Sequence, residues 1–339
     1  MHRRIIISFM ALAFFWACME QSVQQYAPLT LRVATGLDTK VSAAEGDAVL
    51  NVLILLVQDN KLAANPIYRV AESGVNFMDV DCGTLAVGTY EVYAYANILH
   101  SDWLPTSSSV EEIEKLMVKG DSFTDSRDRL MTVLTGTAAP AMPTETMILT
   151  GTSSILVDIT DNNGWVQLHR PVARFNVEVN NHSNAAIQLT SLSFSNFNPS
   201  KGFLFAHGDN AGNLTLPSNL SYRSLPAFEG PLDIASDSQR TVYTTLLYEG
   251  AASSYTLNAT VSMTTLENEH MERSLTNAAM VMVDPVTSLP TPLSQIVRNQ
   301  DLTVVLNVYY QELEGSFSIE VDNTFWKESG AHNSNHTFR

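Results

Sequence analysis

The chain has 339 residues, 45% of them hydrophobic and only 16% charged, with a formal net charge of −16. An acidic balance excludes nucleic acid and anionic lipid as electrostatic partners, since both attract basic surfaces. Two cysteines exclude a disulfide scaffold, so stability must come from buried apolar area, and at roughly 150 residues per domain the length suits two domains.

The first element is "MHRRIIISFMALAFFWACMEQ". Its apolar run, residues 5–17, is shorter than the roughly 20 residues a membrane span needs, and two arginines precede it. That describes an export signal. Bulky Phe15 stands three residues before Cys18, where ordinary signal cleavage requires a small residue. The segment 1–17 therefore reads as a lipoprotein signal, with Cys18 the first mature residue and the carrier of acyl chains. Loss of Arg3 and Arg4 takes the net charge from −16 to −18. Cys82, in "DVDCGTL", is then left without a partner and reads as a small residue near a turn.

Period-two alternation dominates the rest of the sequence and predicts an all-β chain. "PLTLRVATG" gives a first strand with Leu29, Leu31 and Val33 on one face. Residues 49–57 are almost continuously apolar, which suits a strand covered on both faces. "SSSVEEIEKLMVKG" predicts one short inserted helix, with Ser109 and Glu112 as a capping box and Gly120 as the stop. Residues 135–146 read as a loop. "SSILVDITDNNGWVQLHRP" reads as a hairpin whose Asn163-Gly164 supplies positive φ. In "RFNVEVNN", Phe175, Val177 and Val179 share a face. Residues 195–220 are irregular. "SYTLNATVSMT" and "LTVVLNVYY" alternate in the same way, and the latter forms a second hairpin with "SFSIEV". The polar side of each strand implies antiparallel sheets with one wet face. The boundary falls where "HRP" separates two strands, giving a domain over 18–167 and another over 168–339. No repeat is legible residue by residue.

Constellations for chemistry are missing. There is no G-x-S-x-G elbow and no H-E-x-x-H. His332 and His336 stand in a poor helix, and Asp79 with Asp81 lacks the further ligands of a calcium loop. His100, Ser101 and Asp102 are sequence neighbours, which does not make a triad. Trp103 and Trp326 could serve as sugar platforms, but lone tryptophans near strand ends more often belong to cores. Catalytic residues, metal ligands and cofactors are expected to be absent.

Several phrases in order carry a resemblance: "AVLNVLILLVQDNKL", then "GTYEVYAYANIL", with Tyr93, Ala94, Ala96 and Asn97, then "RPVARFNVEV" from Arg170 to Val179, then a closing hairpin ending on "FW". Together with the signal, the chain resembles the fimbrillin and FimB-type fimbrial proteins, the lipoprotein-derived type V pilins of anaerobic Gram-negative bacteria. The resemblance implies two tandem transthyretin-like β-sandwich domains. It implies an outer-membrane or fimbrial location, other fimbrial subunits as partners, and a lipid anchor on Cys18. It also implies polymerisation by strand exchange, in which a protease cuts beyond the first strand and a neighbour's C-terminal segment takes its place. The first strand is accordingly expected at a sheet edge. The processing loop holds one basic residue, Lys40, rather than the arginine of a stalk subunit, and Arg32 lies inside the strand. A basal anchor or a tip or accessory subunit fits this better than a stalk repeat. Phe325 and Trp326 are the expected anchors of a donor segment. The alternative is a surface lipoprotein adhesin that binds a host glycan or protein on the same framework.

Overall fold

Alternating apolar residues become strands because each strand buries every second side chain. The structure is a computed structural model. It describes residues 24–35, 48–97, 117–123, 132–133, 148–160, 162–205, most of 214–264, 269–283, 290–311 and 316–328. In the first half the strands are β1 (Tyr26–Ala34), β2 (Val49–Gln58), β3 (Ile67–Val75), β4 (Phe77–Ala86), β5 (Gly88–Ala96), β6 (Leu149–Val157) and β7 (Asn163–Gln167). One sheet has the order β4-β1-β7; the facing sheet runs β3-β2-β5-β6, with Lys61–Leu62 beside the far end of β2.

The second half contains β8 (Val172–Asn181), β9 (Ile187–Ser195), β10 (Leu232–Ile234), β11 (Ser238–Tyr248), β12 (Thr256–Thr264), β13 (His270–Ala279), β14 (Gln300–Gln311) and β15 (Ser316–Glu328). Its sheets run β11-β8-β14-β15, extended by 281–283 and 290–292, and β10-β9-β12-β13. Shifting every label of the first half by seven reproduces the second half, with β15 added. A repeat that no residue identity betrays is therefore present as topology. The described residues are nearly all β and form two tandem sandwiches.

Three expectations need amending. The sheets are mixed rather than purely antiparallel, because β1 runs parallel to β7 and β8 parallel to β14. Asn163-Gly164 is no hairpin turn. β6 and β7 lie in different sheets, and both residues sit inside β7. The glycine is needed there for room: a Cβ would stand 2.3 Å from Ile155 Cδ1 and 2.5 Å from Leu31 Cδ2. And β1 is no edge strand but the middle of its sheet. The helix predicted from Ser109 lies outside the described residues except for its end, where Met117 is buried and Gly120 turns at φ 96°.

The core falls into three clusters. Leu29, Leu31, Val52, Ile54, Leu56 and Val92 belong to the first sandwich. Phe175, Val177, Phe194, Leu257, Val304 and Leu306 belong to the second. The third is a seam. Leu53, Leu55 and Val57, on the other face of β2, join Tyr95 of β5, and Val172, Leu204, Phe205, Leu246 and Tyr248 pack against them from the second half. This is why β2 is apolar on both faces: one fills a sandwich, the other a junction.

Candidate functional site

The first strand is the element on which strand exchange would act. β1 pairs antiparallel with β4 over Tyr26–Ala34 and parallel with β7 over Thr30–Ala34. Ala27, Leu29, Leu31 and Val33 are buried. Burying the three larger side chains contributes roughly 5–9 kcal/mol before entropy. That is comparable to the whole stability of a typical domain, about 5–15 kcal/mol. If β1 left, the apolar slot and the strand edges of β4 and β7 would be bared together, and such a slot is a template for an incoming strand.

Local features fix β1 in register. Opposite Leu29, β4 carries two residues, Cys82 and Gly83, so the register slips between Pro28 and Thr30. Gly83 takes the positive φ that this bulge requires, and its N–H donates to Asp81 Oδ1 at 2.8 Å. Asp81 thus braces the bulge within β4. The Cys82 thiol is buried in the core, and desolvation pushes its pKa up to about 12, which leaves it an inert thiol. At the far end Leu168 N–H donates to Ala34 O at 2.7 Å.

On the outer face, Arg32 is held side-on by Asp79, with Nε–Oδ1 2.7 Å and Nη2–Oδ2 2.8 Å, and its guanidinium lies 4.6 Å from the Phe77 ring centroid. The guanidinium's hydrogen bonds hold the Asp79 carboxyl below its usual range. Thr30, Arg32, Asp79, Asn163, Gly164 and Trp165 line an open cleft of about 360 Å³. Its two charged groups already satisfy one another. Among the described residues, no three His, Cys, Asp or Glu side chains gather as metal ligands would.

The residues singled out in the sequence are scattered. Cys18, Lys40, His100, Asp102, Trp103, His332 and His336 lie outside the described residues. Arg32 has its backbone paired on both sides, to Asp79 and to Trp165. Phe325 and Trp326 stand in β15, in register with Thr303 and Leu302 of β14. That segment is therefore already a strand of its own sheet. The motif residues have local reasons. Ala94 and Ala96 face the first core. Buried Asn97 turns left-handed at φ 62°, accepting from Leu50 N–H and donating to Ala48 O, each at 2.8 Å, and so ties β5 to the start of β2.

What sequence reading missed is the clamp at the seam. Arg298 donates to the carbonyls of Phe203, Leu204 and Phe205 at 2.8–3.0 Å and pairs with Glu249, all nearly buried. Thr150 Oγ1, from the first half, donates to the same Leu204 O at 2.6 Å. Phe205 then stands edge-on to Tyr95 and Tyr93, at 4.4 and 5.1 Å between centroids. A lone arginine between strands gives no sequence signal, because its three carbonyl partners are almost a hundred residues away.

No family model and no curated protein matches the sequence. Solved structures match its fold. A protein provisionally assigned to cell adhesion in Parabacteroides distasonis aligns over 87% of this chain and 95% of its own, with TM-score 0.53 and 11% identity. One from Bacteroides eggerthii, likewise provisionally assigned to cell adhesion, aligns over 90% and 96%, with TM-score 0.50 and 16% identity. A fimbrilin of Porphyromonas gingivalis aligns over 86% and 96%, with TM-score 0.49 and 13% identity. The likeness is one of fold across nearly the whole chain.

Proposed function

We propose that the chain is a non-enzymatic structural subunit of a fimbrium, exported to the cell surface as a lipoprotein acylated on Cys18, with other fimbrial subunits as its partners. The observation that carries this reading is the place of β1. It is the first strand of the described fold, it fills an apolar slot, and both its neighbours would lose their pairing if it left. That arrangement suits complementation by a partner's strand. The ordered motifs and a fold shared with proteins assigned to cell adhesion support the same reading.

Within the fimbria we assign the chain to a basal anchor or a tip or accessory position. Arg32 is the only arginine near the processing region, and its backbone is paired inside β1, whereas a protease needs an extended, exposed segment. β1 then stays, its slot remains filled, and Cys18 remains joined to the fold. β15, paired to β14 along most of its length, is retained by its own sheet. The test is the N-terminus of the protein recovered from assembled fimbriae. An acylated Cys18 is the expected result. A chain beginning near Val41, cut after Lys40, would make it a polymerising stalk subunit. Replacing Cys18 by Ala should move the protein out of the membrane fraction, and unchanged retention there would sink the lipid anchor.

A further inference from the structure

Large apolar side chains left in water scatter singly on most proteins. Here four of them converge. Tyr26 is 61% exposed, Val87 37%, Leu156 65% and Ile159 62%. The topology brings them to one end. Val87 is the crossover from β4 to β5, and its N–H donates at 2.8 Å to Gln25 O, next to Tyr26. Leu156 pairs in register with Thr89, two residues further along β5. Ile159 is in the crossover from β6 to β7, which Asn162 ties to β1 by donating to Pro28 O at 3.1 Å. Both crossovers cap the same end of the first sandwich, and the start of β1 lies between them. The opposite end, where Ala34 meets Leu168, adjoins the second sandwich.

We propose that this apolar end of the first sandwich is a lipid-docking surface, whose Tyr26, Val87, Leu156 and Ile159 enter the headgroup region of a zwitterionic bilayer. The inference rests on the lipid anchor proposed above. Cys18 and Tyr26 are eight residues apart, so the tether spans at most about 28 Å, and this end is the one held nearest the acyl chains. Apolar side chains at the boundary sink about 5–10 Å, and tyrosine favours that depth. The headgroups are zwitterionic because, among the described residues, Asp59, Asp121 and Asp158 sit at the same end with Lys61 and Lys119 against them, which leaves no basic excess to favour anionic lipid. The Asp59 turn follows Gln58, whose amide packs against Gly88 at the start of β5. Acyl chains on Cys18 hold the chain at the membrane without fixing its orientation, and a second attachment sets the molecule upright, with its second sandwich away from the membrane.

The test supplies the tether chemically. The mature chain beginning at Cys18 is coupled through that thiol to a maleimide lipid in vesicles of phosphatidylcholine and phosphatidylethanolamine. Buried Cys82 does not compete. Hydrogen exchange is read over residues 84–90 and 155–160, tethered and free. Exchange at least threefold slower on vesicles is expected. A Leu156→Glu/Ile159→Glu variant, equally tethered and with an unchanged unfolding midpoint, should lose that protection. Equal exchange in the tethered and free wild-type chain would overturn the proposal. So would a concentration-dependent dimer that protects the same segments without lipid. Because coupling replaces natural acylation, either result leaves the state of Cys18 in cells to be judged separately.

Discussion

The two sandwiches share one topology but hold their first strands differently. β1 is matched by β7 only over Thr30–Ala34, and β7 has five residues; β8 is matched by β14 over Arg174–Asn181, and β14 has twelve. On its far side β14 carries β15. No described strand pairs with β7 in that way. β8 is also fixed in the chain at both ends, while β1 follows directly from the N-terminal segment. The same architecture thus holds its first strand against a short neighbour in one sandwich and a long, flanked neighbour in the other, and the difference comes from neighbours rather than from the strand's own residues.

The seam offers the largest expected effect. Arg298→Ala leaves the Glu249 carboxylate buried without its ion-pair partner and removes the guanidinium donor from three carbonyls, of which that of Leu204 keeps Thr150, and should cost about 3–5 kcal/mol in urea unfolding. A loss below about 1 kcal/mol would show that the sandwiches are stable independently of the clamp. Expression of 19–167 and 168–339 as separate fragments sharpens this, since each half would expose its side of the third cluster.

Equivalent truncations in the two first strands come next. Leu31→Ala and Val177→Ala each remove apolar atoms from a buried site, with Leu31→Ala expected to cost about 2–5 kcal/mol. Amide exchange distinguishes them. Leu31→Ala should speed exchange across 29–33 alone, at least tenfold, whereas Val177→Ala should act only through global unfolding. If β1 and β8 amides respond alike, the asymmetry between the sandwiches is not real.

Gly164→Ala should cost about 1–3 kcal/mol by pressing on Leu31 and Ile155, and the companion change Ile155→Val should recover part of it. No such recovery would mean that the glycine serves backbone freedom instead.

The smallest effects are in pH. Burial, with Arg298 nearby, lowers the pKa of His169 below its ordinary 6.5. The folded state therefore keeps this imidazole neutral where the unfolded state takes up a proton. Stability should be full above about pH 6.5 and decline as pH falls through that value towards the lowered one. Replacing His169 by Gln should flatten that part of the profile. Asp79, held low by Arg32, adds stability that is lost only in acid, below its ordinary 3.8. Both partners are about half exposed, so Asp79→Asn should cost no more than about 1 kcal/mol, and less in high salt.

The sequence by itself determined the local half of this structure. Alternation sets Phe175, Val177 and Val179 on one face because strand geometry admits no other period, and the unbroken apolar run of β2 announced two covered faces. The phrase containing Asn97 was legible as a motif before its role as a tie between strands was visible. Only the tertiary structure decided which strands became neighbours. The Asn163-Gly164 pair fits a turn by composition, yet it lies within a strand, because the need for space beside Leu31 and Ile155 comes from residues far away in the chain. β1 sits between two partners rather than at an edge for the same reason. Periodicity specifies which face of a strand is buried but not the strand beside it, and hydrogen-bonding edges are alike in every sequence. The Arg298 clamp and the apolar end around Tyr26 are likewise convergences of distant segments, set by how two stacked sheets close and meet.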